Sequence, residues 1–137
     1  MINFIFLVFF ILDRIFKYLA LNEIKKVFFI KLFLFKNKGI ALGIPLFYKL
    51  FYFILFLIFS WVVFNLIKSF QEKKMIQFFS LEAVLIGAIS NLIDRLNYGA
   101  VIDYFSIPFT VLNLSDLMIF FGIIIFGCFS LLKSDKH

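Results

Sequence analysis

Four apolar runs divide the chain: Ile2 to Ala20, Leu46 to Ile67, Met75 to Leu96 and Leu114 to Leu132. Each approaches the roughly 20 residues a helix needs to cross about 30 Å of hydrocarbon at about 1.5 Å per residue. Lipid offers the backbone no water to bond with, so spans of this length have to be helical. Composition agrees, because 64% of the 137 residues are hydrophobic where a soluble domain holds about 45–50%, and the mean hydropathy is +1.09. The predicted fold class is an all-α membrane protein of four transmembrane helices. The first run has the look of a cleavable signal peptide. It lacks a basic start and an A-x-A site, however, and carries Asp13, Arg14 and Lys17 near its far end, so it reads as a retained helix.

Residues 21 to 45 join the first two runs, and within them "VFFIKLFLF" reads as an extended or interfacial segment and "NKG" as a turn, which makes a small cradle with room for β-structure. The second connection, "KSFQEKK", is short and basic. The third, "NYGAVIDYFSIPFTVLN", is broken by Gly99 and Pro108. No long linker or repeat interrupts the chain, so residues 1–137 read as one membrane-embedded domain.

Four antiparallel spans fix sides. Asp13, Lys17, Asn37, Gly39, Asn91, Asp94, Arg95, Asp103, Asn113 and Asp116 all fall at one face, and the opposite face has only "KSFQEKK" and the termini. The polar face holds six lysines in residues 21 to 49, whereas the other holds five in two short stretches, "KSFQEKK" and "KSDKH". Density of basic charge in short loops is the stronger signal, which puts the polar cluster outside the cytoplasm.

The formal charge of +6 lies in loops flanking apolar runs, where lysines meet anionic headgroups rather than nucleic acid. One cysteine, Cys128, excludes an intrachain disulfide and a cysteine metal cluster, and reads as a packing residue. The only histidine, His137, is the last residue, which removes Ser-His-Asp and Cys-His chemistry and histidine-ligated zinc. Neither a metal nor another cofactor is expected.

Charged groups near lipid cost roughly +2.5 to +3.5 kcal/mol each at mid-membrane, so they usually line a functional interior. Asp13 and Lys17 are four apart and pair along one helix face; Asn91 lies three before Asp94 and four before Arg95; Asn113 lies three before Asp116. Asp94 reads as held by Arg95 or by a more distant cation, with Asn91 adding an amide. Asp103 and Asp116 have no basic neighbour in sequence. Two such carboxylates at one face, brought within about 3 Å, can share a proton and act as base toward water and acid toward a carbonyl. Glu82 reads as snorkelling or paired, and Ala83 with Gly87 as a site of close helix packing.

"DRIFK", "NKGIALG", "GAISNLIDRLNYGAVIDYF" and "LNLSD" occur in an order and spacing that resembles the lipoprotein signal peptidases, the type II signal peptidases. The resemblance implies a four-helix aspartic endopeptidase of the bacterial inner membrane, working as a monomer on lipidated prolipoproteins at the extracytoplasmic face. It would cut before the diacylglyceryl-modified cysteine of the lipobox. It also implies that Asp103 and Asp116 are catalytic and that Asp13, Lys17, Asn37, Gly39, Asn91, Asp94, Arg95 and Asn113 bind substrate or support the site. Departures from the usual family spelling fall at Arg14, Ser90, Leu112 and Ser115 and leave each acidic position in place.

Two rival readings stand beside this one. A Ser-Lys protease built on Lys17 with Ser90, Ser106 or Ser115 would need an uncharged lysine, and Asp13 one turn earlier holds that lysine charged. A small non-enzymatic bundle relaying protons or ions would spread its acids through the membrane depth, whereas these gather at one face.

Overall fold

A computed structural model describes residues 4–24, 26–27, 30–38 and 48–134. Helix α1 covers Phe4–Leu21, α2 Tyr48–Gln71, α3 Met75–Tyr98 and α4 Leu114–Ser134. Among the described residues the connection from α1 to α2 holds strands β1 (Lys26–Val27), β2 (Ile30–Lys31) and β3 (Phe35–Asn37). The connection from α3 to α4 holds β4 (Val101–Asp103), β5 (Phe105–Ile107) and β6 (Thr110–Leu112). The described part of the cradle therefore contains extended strands, as its sequence suggests. Gly39 and the turn assigned to "NKG" beyond Lys38 lie outside the described residues.

Helices α2, α3 and α4 are each long and apolar enough to cross a membrane. Helix α1, at 18 residues, is about 27 Å long, and Asp13 and Lys17 on its inner face are fully buried. The outer faces expose large apolar side chains such as Phe4, Phe56, Phe64 and Leu131, a surface that suits lipid and not water. Cys128 is exposed on the lipid-facing side of α4, so it does not pack inside as expected from its apolar neighbours. An apolar run in lipid can turn any residue outward at no cost.

Helix α3 is the central element and packs against the other three. Its buried residues run from Gln77 to Asp94, and Glu82 is buried among them rather than snorkelling. The contact with α4 is close because two glycines permit it. A Cβ on Gly87 would lie 2.7 Å from the backbone oxygen of Ser115, and one on Gly122 would lie 2.6 Å from that of Ser80. The expected Ala83 and Gly87 pair is thus half of a two-sided approach, with Gly122 supplying the other side.

Gly99 ends α3. Its φ of 68° is left-handed, and its N–H bonds to the Arg95 carbonyl, a helix stop that a glycine adopts without a Cβ penalty. The chain then turns into β4, which pairs antiparallel with β3, setting Asn37 opposite Val101 and Phe35 opposite Asp103. Residues two apart on a strand share a face, so Asn37 and Asp103 lie diagonally on the same side. A cluster of Ala20, Leu32, Ile102 and Tyr104 packs beneath the strands.

Candidate active site

Four charged side chains from α1 and α3 form the floor of the polar region. Lys17 Nζ lies 3.0 Å from Asp13 Oδ2 and 2.7 Å from Asp94 Oδ2, all three side chains being fully buried. Arg14 Nη1 reaches Asp94 Oδ1 at 2.5 Å and the Ser90 carbonyl at 3.3 Å. The Ile102 N–H donates to Asp94 Oδ2 at 3.2 Å, which ties β4 to the same carboxylate. Two acids and two bases balance here, the condition under which charges tolerate burial.

Asp13 collects hydroxyls as well. Ser90 Oγ and Ser115 Oγ each donate to Oδ2 at 2.6 Å, and Tyr104 donates to Oδ1 at 2.8 Å. Burial, and then the neighbouring Asp13 carboxylate, push the Tyr104 phenol up, so it keeps its proton and serves as donor. Lys17 Nζ is taken by two carboxylates rather than turned to a serine nucleophile, a geometry that disfavours the Ser-Lys alternative.

Above this floor a chain of amides reaches the two carboxylates of interest. Lys17 Nζ donates to Asn91 Oδ1 at 2.9 Å, which turns the Asn91 amide so that Nδ2 donates to Asp116 Oδ1 at 2.8 Å. Asn113 Nδ2 donates to Asn91 Oδ1 at 3.2 Å and to Asp103 Oδ1 at 2.6 Å. Asn113 is also the N-cap of α4. Its Oδ1 accepts the Asp116 N–H at 2.8 Å, and its own N–H donates to Asp116 Oδ2 at 3.2 Å, a reciprocal capping box. One asparagine therefore holds Asp103 and Asp116 at the same time. Asn37 Nδ2 completes the set with a 3.2 Å bond to Asp103 Oδ2.

The two carboxylates differ in surroundings. Asp103 is 1% exposed; its burial, followed by the negative charge of Asp116, pushes its carboxyl up to about 6. Asp116 is partly exposed and lines a groove of about 490 Å³ with Asn37, Arg95, Val101, Thr110 and Phe120. The groove is mostly apolar and runs along α4, with its polar groups gathered at the Asp116 end. An extended apolar segment can lie in it with a peptide group beside Asp116. Among the described residues no group of three His, Cys, Asp or Glu side chains is arranged to hold a metal.

The structure brings Asp13, Lys17, Asn37, Asn91, Asp94, Asp103, Asn113 and Asp116 into one network. Arg95 stands at its edge: it donates to the Asn91 carbonyl at 3.3 Å and sits over the Phe51 ring at 5.1 Å. The cations on Asp94 are Lys17 and Arg14, so the reading of Arg95 as its holder is corrected in favour of the more distant partners. Arg14, Ser90, Tyr104 and Ser115 also belong to the network; the sequence gives Ser90 and Ser115 a role only through the Ser-Lys alternative and marks Arg14 only as a departure from the family spelling. "LNLSD", with Asn three before Asp ahead of an apolar run, carries the capping signal that places Ser115 on the first turn. Nothing local marks Tyr104.

Residues 5–132 match the family described as Signal peptidase (SPase) II. The lipoprotein signal peptidase of Buchnera aphidicola subsp. Schizaphis graminum is 36% identical over 120 residues, covering 80% of this chain and 77% of its own. That of Clostridium acetobutylicum is 32% identical over 143 residues, covering 92% and 90%. A bacterial membrane enzyme solved by the in meso method at 2.3 Å resolution superposes with a TM-score of 0.73 over 97% of this chain and 88% of that one, at 24% identity, a likeness of fold. A family match that runs almost from end to end, joined by relatives above 30% identity over most of both lengths, makes this chain a member of the signal peptidase II family of aspartic peptidases.

Proposed function

We propose that this enzyme removes the signal peptide from diacylglyceryl-modified prolipoproteins, cutting before the lipidated cysteine, with Asp103 and Asp116 as its catalytic pair. The observation that carries the reading is the hold of Asn113 on both carboxylates, one of which, Asp116, lines an apolar groove. Asp116 is the base. It lies on the first turn of α4, where helix N–H groups favour negative charge, accepts two hydrogen bonds from N–H groups and faces the groove. Asp103 is the acid that holds the proton, since it is closed off from solvent where Asp116 is partly exposed.

Asp116 takes a proton from water as the water oxygen attacks the scissile carbonyl carbon, while Asp103 gives its proton to the carbonyl oxygen. The tetrahedral intermediate then collapses: Asp103 recovers its proton from the hydroxyl, Asp116 passes its own to the departing amine of the cysteine, and the C–N bond breaks. Lys17 acts at a distance, orienting Asn91 and through it Asp116. Asn37, Asn91 and Asn113 keep the pair in place, and Asp13 and Asp94 hold the cations beneath it.

The site faces the extracytoplasmic side, as the basic density of "KSFQEKK" and "KSDKH" favours. A peptide bond beside Asp116 has to be held at the depth of a loop end while its apolar helix stays in lipid. A diacylglyceryl group does this, since acyl chains contribute about 0.8 kcal/mol per buried CH₂. The names of the relatives, lipoprotein signal peptidases, support the same substrate. A prolipoprotein whose lipobox Cys is replaced by Ser, and so is unlipidated, is expected to be cut at least about tenfold more slowly. Equal rates on the two substrates would remove the lipid from the mechanism.

A further inference from the structure

We propose that Tyr104 and Ser115 are positioning residues for the reaction: acting through the buried Asp13 carboxylate, their hydroxyls fix the first turn of α4 and with it the place of Asp116. The inference rests on the assignment of Asp103 and Asp116 as the catalytic pair.

A helix leaves the N–H groups of its first turn without partners inside the helix. In α4 they are taken in order. The Leu114 N–H donates to the Tyr104 hydroxyl at 3.1 Å, the Ser115 N–H to Asp13 Oδ1 at 3.3 Å, and the Asp116 N–H to Asn113 Oδ1 at 2.8 Å. The first two partners are themselves joined, because the Tyr104 hydroxyl donates to Asp13 Oδ1 at 2.8 Å. Ser115 adds its side chain to the same carboxylate at 2.6 Å. The turn that carries Asp116 is thus bolted to α1 by hydroxyls from two different elements.

Tyr104 directly follows β4, whose last residue is Asp103. Consecutive strand residues point to opposite sides, so Asp103 faces Asn113 while Tyr104 faces Asp13. The Tyr104 ring is fixed in a buried cluster with Ala20, Leu32 and Ile102, its centroid 5.5 Å from that of Phe16. Its backbone is pinned by bonds to Leu112 and Phe33. A hydroxyl held this firmly, one residue from Asp103 and bonded to the first residue of α4, sets the separation of the two carboxylates. The glycine contacts and the Asn91 bond to Asp116 orient α4 against α3, and the bonds to Asp13 add a directional hold from α1 on its first turn.

The test uses purified full-length enzyme in detergent with a lipidated prolipoprotein, rates being normalised to the folded fraction measured by thermal unfolding. Tyr104→Phe and Ser115→Ala each remove one oxygen and leave packing intact. Each is expected to lower kcat about tenfold with KM within about twofold, the mark of a displaced reacting group rather than lost binding. Ser115→Thr, which keeps the hydroxyl, should return kcat to within about threefold of wild type. The double variant should lose less than the product of the single losses, because both act on one carboxylate. Unchanged kcat in both single variants, or losses that vanish on normalisation, would overturn the clamp. Asp116→Asn reports separately: activity surviving there would overturn the catalytic assignment, whereas a dead Asp116→Asn beside fully active hydroxyl variants removes the clamp alone.

Discussion

Replacing Lys17 with Met keeps much of the side chain's volume and removes the one ammonium that Asp13 and Asp94 share. Breaking a buried ion pair by deleting one partner costs about 3–5 kcal/mol, because an uncompensated charge is left behind. Here Asp94 retains Arg14 at 2.5 Å and the Ile102 N–H, and Asp13 retains Ser90, Ser115 and Tyr104 as donors. The loss should therefore sit at the low end, about 3 kcal/mol. Adding Asp13→Asn removes the stranded charge and should recover about half of that loss. Activity should stay low in both, since Asn91 loses the cation that turns its amide toward Asp116. Reversible denaturant titration in mixed micelles reads the stabilities. A Lys17→Met protein within about 1 kcal/mol of wild type, or a double variant less stable than the single, would refute the view that this lysine neutralises the floor of the site.

Two further outcomes follow from charge. The Asp103 carboxyl is raised from the ordinary 3.8 to about 6, so the folded state holds that proton more tightly than the unfolded chain. The stability it contributes is complete below about 4 and is lost as pH rises through about 6; Asp103→Asn should flatten that decline and raise the melting temperature at pH 8, and a lower one would reverse the sign. For orientation, on a Cys128→Ser background, Lys73→Cys should be shielded from a membrane-impermeant thiol reagent in intact cells and Lys38→Cys should react; the opposite pattern would place the site in the cytoplasm.

The spans were legible in the sequence because lipid imposes a length and an apolar composition that 20-residue windows register directly. Helix α2 still runs to Gln71, past the expected Ile67, since polar residues outside the hydrocarbon can continue a helix. The pairs Asp13 with Lys17 and Asn113 with Asp116 were legible too, being one turn apart. Of the two holders the sequence allows for Asp94, Arg95 or a more distant cation, the structure has the distant ones, because adjacent helix residues do not face each other. The part that Arg14, Ser90, Tyr104 and Ser115 play in the network was not legible because their partners lie far along the chain, Ser115 and Asp13 being 102 residues apart. Three of those four positions, Arg14, Ser90 and Ser115, are departures from the usual family spelling; Arg14 lands on Asp94, and Ser90 and Ser115 land on Asp13. Changes that look scattered in sequence fall on one buried charge cluster.

The catalytic pair is tested most directly by a gel-shift cleavage assay on a lipidated prolipoprotein with wild type, Asp103→Asn and Asp116→Asn, each purified in folded form. An amide can neither take the proton from water nor return it, so each variant should lose at least about 10²-fold in rate while keeping its fold. Cleavage within a few-fold of wild type by either folded variant would contradict the assignment.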